Sequence, residues 1–142
     1  MILFDTDIMI DILREYPPAI AWLRSLDGEE IVLPGFVVME LVQGCRNKPE
    51  QEKLEAVLCG YGVLWPSAEI CNNALSTFIQ CRLSHGIGII DTLIGQMATD
   101  MGLSLHTFNQ KHYAPVAGLQ TVQPYIKFSQ ERTPHGPRPG PL

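Results

Sequence analysis

Three acidic residues stand far apart in the chain, and each adjoins an apolar run: Asp5 in ILFDTD, Glu40 in VVMELVQG and Asp91 in GIIDTLIG. A carboxylate beside such a run sits near the core yet must be solvated, paired or bound to a cation, because an unpaired buried charge is costly. Carboxylates gathered at one place raise one another's pKa, and a divalent cation removes that penalty. Mg²⁺ or Mn²⁺ takes oxygen ligands in octahedral geometry and retains waters, so two or three carboxylates plus a substrate phosphate complete its sphere. The chemistry such a site supports is phosphodiester hydrolysis by an activated water.

The elements that must position these acids follow from periodicity. Residues 1–4 read as a buried strand ending at Asp5, and the segment from Asp7 to Arg14 as a helix with Ile8, Ile12 and Leu13 on its apolar side. Pro17 and Pro18 break it and open a second helix through Ile20, Leu23 and Leu26, closed by Asp27-Gly28. Residues 31–33 form a second strand, and Phe36 to Val42 a short helix that carries Glu40 and stops near Gly44. Leu54, Val57 and Leu58 mark another helix, and Val63 to Trp65 a third strand.

Ser67 opens a long helix whose stripe through Cys71, Leu75 and Phe78 is expected to face the core, with a dimer face as the alternative. Gly86 and Gly88 separate it from a helix that begins near Asp91 and runs to Gly102. Leu103 to Thr107 read as a fourth strand and Leu119 to Val122 as a fifth, at the edge. Strands alternating with helices imply an α/β fold, a mostly parallel sheet of about five strands between helical layers. In such sheets ligands bind beyond the carboxyl ends of the strands, where strand order reverses. Asp5, Glu40, Asp91 and Asn109 can all face that cleft.

Composition sets limits. A chain of 142 residues, 46% hydrophobic, suits one domain, here residues 1–126. Residues 127–142 read as a flexible tail, since Leu142 is the only aliphatic residue beyond Ser129 in a stretch rich in Pro and Gly. The net charge of −5 argues against affinity for nucleic acid through a basic surface, but not against a nuclease whose acids are masked by metal. Eleven acids face five bases in residues 1–60, whereas the remainder is nearly balanced, and much of that excess is ordinary solvated surface around Glu50, Glu52 and Glu55. Cysteines 45, 59, 71 and 81 form no C-x-x-C pair, so a zinc knuckle is disfavoured. No secretory or membrane-spanning run is evident, and a reducing cytoplasmic location is expected.

Four segments together resemble the PIN-domain ribonucleases, and among them the VapC-like toxins of type II toxin–antitoxin systems: FDTDIMID at 4–11, VVMELVQG at 37–44, IIDTLIG at 89–95 and SLHTFNQKHYAPVAGL at 104–119. The resemblance implies an α/β/α sandwich, Mg²⁺- or Mn²⁺-dependent cleavage of RNA, and Asp5, Glu40 and Asp91 as the metal-binding acids. It also implies a homodimer and a cognate antitoxin that inserts into the catalytic groove. The chain departs from the pattern after its fourth strand, where many relatives carry a further acid and this chain has Asn109 and His112. Asn109 can offer a neutral oxygen, and Asp7 can compensate for the missing charge.

Plainer roles compete at each position. Asp91 and Asp7 would each serve as a helix N-cap, and Glu40 as the polar side of an amphipathic helix. Thr6 and Thr92 can bond either to ligating oxygens or to nearby backbone, the second being commoner for threonine at a helix start. His85, His106 and His112 form no metal-binding spacing and read as surface or loop residues. Arg46, Arg82 and Lys111 are candidates to meet phosphate.

Two other functions fit parts of the pattern. ILFDTDI also looks like the opening motif of haloacid-dehalogenase phosphatases, but the later lysine and acidic pair of that family are missing. A PIN-like module that binds RNA or protein without cutting it is the other alternative, suggested by Asn109.

Overall fold

The first strand, β1 (Ile2–Phe4), is apolar at every position and buried along its whole length. Strands covered on both faces read as continuous apolar runs, and this one lies at the centre of a parallel sheet. A computed structural model describes residues 1–127. Its sheet has five strands in the order β3-β2-β1-β4-β5, with β2 at Ile31–Pro34, β3 at Gly62–Leu64, β4 at Leu105–His106 and β5 at Thr121–Val122. Every pairing is parallel. Leu3 stands level with Val32 on one side and Leu105 on the other.

That order has a consequence for the helices. The chain moves outward from β1 to β2 to β3, then crosses back to β4 and on to β5. Parallel crossovers are right-handed, so the helices of the two halves cover opposite faces of the sheet. One group comprises α1 (Thr6–Leu13), α2 (Pro17–Ser25), α3 (Gly35–Gln43) and α4 (Lys48–Leu58). The other comprises α5 (Ala68–His85), α6 (Ile89–Asp100) and the four-residue α7 (Gln110–Tyr113). Contacts follow the grouping, with α1 against α2 and α3, α3 against α4, and α6 against both α5 and α7. The strand order reverses between β1 and β4, and Asp5 lies at that point.

Local chemistry explains most boundaries. Asp5 is the N-cap of α1, its Oδ1 accepting from the Thr6 amide at 2.8 Å, so that helix starts one residue earlier than expected. Asn47 caps α4 and Ser67 caps α5, which ends in a left-handed Gly86 at φ 65°. The third strand is shifted to Gly62–Leu64 because Trp65 turns away to cover Gly35, where any Cβ would collide with the indole ring. The fourth strand is only two residues long; just beyond it the Thr107 amide still bonds the Val122 carbonyl, while its side chain turns to Asp5 and the Asn109 amide. Helix α7 has no apolar stripe of its own and was not anticipated.

The core joins Leu3, Phe4, Leu33 and Leu105 of the sheet to Ile8, Val37, Ile94 and Met97 of the helices, all fully buried. Truncating any of these to Ala would cost about 2–5 kcal/mol. Two expectations about burial are corrected. The stripe through Cys71, Leu75 and Phe78 is not core: Ala74 is the one buried residue of α5, and Leu75, Ile79 and Leu83 are 57%, 70% and 89% exposed. His106 is no surface residue; it is buried in β4, its ring beside those of Phe4 and Trp22. Burial holds its pKa below the ordinary histidine value, so it is a neutral member of an aromatic cluster.

Lys127 bonds Asp11 at 3.1 Å and lies over the Phe108 ring, so the described body extends to this residue. The expected tail lies, from residue 128 on, outside the described residues. Among the described residues no helix is long and apolar enough to cross a membrane.

Candidate active site

Asp5 leaves the end of β1 at the switch point and is 5% exposed. Its Oδ1 takes the Thr6 amide and its Oδ2 takes the Thr107 hydroxyl at 2.9 Å. Burial, reinforced by the neighbouring charge of Asp7, pushes its pKa up to about 6 despite these bonds. The side chain is therefore fixed in orientation and short of positive charge, the condition in which a carboxylate gains most from a cation.

Asp91 reaches the same place from the first turn of α6. The N-cap of that helix is Gly88, so Asp91 is not a cap. Its Oδ1 accepts from the Tyr113 hydroxyl at 3.3 Å, and Asp5 is near enough for its charge to act on the same hydroxyl. Tyr113 is 1% exposed, and burial followed by the charges of Asp5 and Asp91 drives its pKa far up, so it remains a neutral donor. Gly95, one turn after Asp91 on the same side of α6, makes room for it: a Cβ there would lie 3.3 Å from the tyrosine ring and 3.1 Å from Val116.

Glu40 comes from α3, half-buried, and its Oε2 accepts the Thr6 hydroxyl at 2.5 Å. Thr6 thus connects two acids, Asp5 through its amide and Glu40 through its hydroxyl. Of the two threonines flagged from the sequence, Thr6 bonds a candidate ligand, whereas Thr92 is buried and donates to the Gly88 carbonyl at 2.7 Å, a purely helical bond.

Both carboxylate oxygens of Asp7 are engaged by backbone amides. Its Oδ1 accepts from the Ile8 amide and its Oδ2 from the Phe108 amide, both at 2.8 Å, which ties α1 to the segment after β4. Asn109 is exposed and offers its backbone amide to Thr107 Oγ1 at 2.9 Å; no side-chain bond caps α7. Arg46 is engaged by Glu50 at 2.8 Å, so the cations that line the adjoining groove are instead Arg14 and Lys53. That groove, about 640 Å³, runs between α1, α3 and α4 past Thr6 and Glu40, with Ile10, Leu13 and Leu41 as apolar wall.

Sequence reasoning missed Thr107 and Tyr113. Both lie in the segment SLHTFNQKHYAPVAGL, but neither is acidic, and their contribution depends on contacts with residues about 20 to 100 positions away.

Among the described residues no three His, Cys, Asp or Glu side chains already converge as an ion's coordination sphere. Asp5 and Asp91 instead lie about Tyr113, which donates to Asp91, and Glu40 accepts from the Thr6 hydroxyl. The donors are all hard oxygens, and Asp5 is held uncomfortably as an anion, so the chemistry of the set fits Mg²⁺ or Mn²⁺ rather than a soft metal.

A parallel sheet of order 3-2-1-4-5 with acids clustered at its switch point defines a class of small α/β proteins. The chain belongs to the PIN domain family, whose model matches residues 2–117. PIN-domain nucleases generally use divalent metals. The match sets aside the dehalogenase reading. The fold is similar to that of a toxin-antitoxin complex from Klebsiella pneumoniae, at 23% identity and TM-score 0.71, covering 88% of this chain and 98% of that one. It is similar also to VapBC-1 from nontypeable Haemophilus influenzae, at 26% identity and TM-score 0.71 over 86% and 97% of the two chains. FitAcB from Neisseria gonorrhoeae gives 25% identity and TM-score 0.68 over 87% and 98%. Among curated proteins none matches in sequence.

Proposed function

We propose that this chain is a divalent-metal-dependent endoribonuclease, the toxin of a type II toxin–antitoxin pair acting in the cytoplasm. The observation that carries the reading is the gathering of Asp5 and Asp91 about the buried Tyr113 at the switch point of a PIN sheet, with Glu40 bound to the adjacent Thr6. Asp5, Asp91 and Glu40 would hold Mg²⁺ or Mn²⁺. The chemistry supplied by the bound cation is charge neutralisation at the phosphoryl group and acidification of the attacking water. Thr107 and Thr6 fix the directions of Asp5 and Glu40, and partners of that kind typically matter 10–100-fold to affinity. Arg14 and Lys53 bring positive charge to the groove that leads to the acids, which suits an RNA backbone in a chain otherwise acidic.

The same groove is the place for an antitoxin segment. Its apolar wall and its position against Glu40 would let one peptide both bind and block access, and the similar structures from Klebsiella pneumoniae and Haemophilus influenzae are of toxin-antitoxin complexes or VapBC. The exposed Leu75, Ile79 and Leu83 of α5, with Ile89, form an apolar face of the kind that self-association covers, and support a homodimer.

Purified protein incubated with structured RNAs and Mg²⁺ or Mn²⁺ should cut them, with loss of the cuts in EDTA and in Asp91→Ala. The second reading, a module that binds RNA or protein without cleavage, draws on Asn109 and His112 standing where relatives carry an acid. RNA retained by the wild type, but uncut in every metal, would favour it.

A further inference from the structure

The two tryptophans of the chain have different surroundings. Trp22 is half-buried among the rings of Phe4, His106 and Tyr125. Trp65 stands just past the end of β3 and is 55% exposed. Two contacts nevertheless hold its indole in place. The ring lies against Gly35, the first residue of α3, where any Cβ would collide with it, and Phe36 meets it edge-on, with centroids 5.4 Å apart and ring planes at 80°. Fixing a large side chain costs rotamer entropy, which an indole this open regains little of by burial. A fixed, open aromatic ring is the form in which a planar ligand finds a stacking partner.

Its position narrows the ligand. Pro34 pairs with Leu64 in register, so Gly35 and Trp65 leave the carboxyl ends of β2 and β3 side by side. Every strand is parallel, and Asp5 leaves β1 at that same edge of the sheet. Phe36 and Glu40 are four residues apart on α3 and therefore share one side of it. Glu40 also lines the groove that Arg14 and Lys53 make positive, so a strand led along those cations past Glu40 would next meet Phe36 and Trp65. Unpaired bases stack on aromatic side chains in this way, whereas a duplex keeps its base faces covered.

We propose that Trp65, backed by Phe36, is a stacking platform for one unpaired base, so that the RNA bound here is single-stranded at that nucleotide. The proposal rests on the RNA reading above and adds a substrate class to it.

The test is titration of wild type, Trp65→Phe and Trp65→Ala with a single-stranded RNA decamer, an abasic strand of the same length and charge, and the corresponding duplex. Tryptophan fluorescence and anisotropy of end-labelled strands are read in Ca²⁺, with strand integrity checked on a gel. The wild type should prefer the base-bearing strand to the abasic one, Trp65→Ala should lose about 5- to 100-fold in affinity for the former with the latter unchanged, and Trp65→Phe should recover part of the loss. The wild-type fluorescence change on binding should vanish in Trp65→Phe and be missing with duplex. Trp65→Ala weakening both strands alike would show a merely structural role and overturn the proposal, as would wild-type affinity in that variant or a wild type that binds no strand. Acrylamide that quenches the free wild type no more than Trp65→Phe would show the indole covered by a second copy, and would overturn it too. Cleavage in Mn²⁺, assayed separately, distinguishes the readings: binding that depends on Trp65 in a protein that cuts no RNA upholds this inference and removes the nuclease, whereas cleavage with binding indifferent to Trp65 removes this inference alone.

Discussion

Thr107 donates its hydroxyl to Asp5 Oδ2 at 2.9 Å, joining residues 102 positions apart across the switch between β1 and β4. Thr107 Oγ1 itself accepts from the Asn109 amide at 2.9 Å, so one hydroxyl orients a candidate ligand and starts the turn into α7. Thr107→Val keeps the shape and removes both bonds. With Asp5 and the Asn109 amide each short of a partner, the expected loss is about 1–3 kcal/mol of folding stability. Urea unfolding in EDTA measures it. Cleavage should fall as well, since Asp5 loses one of its two fixed directions.

Thr6 and Glu40 allow a different separation of effects. Their bond is part-buried and links α1 to α3, but the helices also pack through their apolar sides. Thr6→Val should therefore cost little stability while weakening Mn²⁺ binding by about 10-fold or more, because Glu40 loses the partner that aims it. A titration of the variant showing wild-type affinity would remove Glu40 from the metal-binding set or Thr6 from its support.

Asp7 should behave in the opposite way. Asp7→Asn leaves one acceptor oxygen for two backbone amides, those of Ile8 and Phe108. The expected outcome is a loss of about 1–3 kcal/mol in denaturant unfolding, with Mn²⁺ affinity changed much less than in Asp91→Ala. The two measurements on one preparation decide whether this acid is a tie or a ligand.

How far the sequence leads is visible in these residues. Asp5, Glu40 and Asp91 were legible because an acid interrupting an apolar run is anomalous by type alone, and the strand–helix alternation placed them at one end of a parallel sheet. Tyr113, Thr107 and α7 were not. A buried tyrosine or threonine is ordinary, and its meaning depends on a partner that only the folded chain supplies. The α5 stripe misled for a related reason: periodicity reports an amphipathic helix but not what covers its apolar side, so Leu75 read as core and is 57% exposed.

That face gives a prediction about assembly. Ile79 and Leu83 are 70% and 89% exposed, and a monomer in water gains nothing from them. If a second copy covers α5, Ile79→Asp combined with Leu83→Asp buries two charges at the interface and should shift sedimentation from dimer to monomer. The substitutions lie on the exposed side of α5, away from the acids, so Mn²⁺ binding should persist. A wild type that sediments as a monomer at the same concentration would reject the homodimer.

The pH dependence of the metal-free protein follows from Asp5. Its pKa is raised from 3.8 to about 6, chiefly by burial, so between those values the folded chain binds more proton than the unfolded one. Stability from this group is therefore greatest below pH 4, declines as pH rises through the window and is flat above about 6. A shift of about two units corresponds to roughly 3 kcal/mol at most. Asp5→Asn cannot titrate, so in EDTA its stability relative to wild type should rise between pH 4 and pH 7 by up to that amount, whatever the offset from its altered hydrogen bonds. Because the Asp5 proton must leave before a cation binds, wild-type Mn²⁺ affinity should increase over the same pH range. Unfolding curves whose wild-type-to-variant difference is independent of pH would show that Asp5 titrates as an ordinary surface acid, and the electrostatic case for a cation at this position would fall with it.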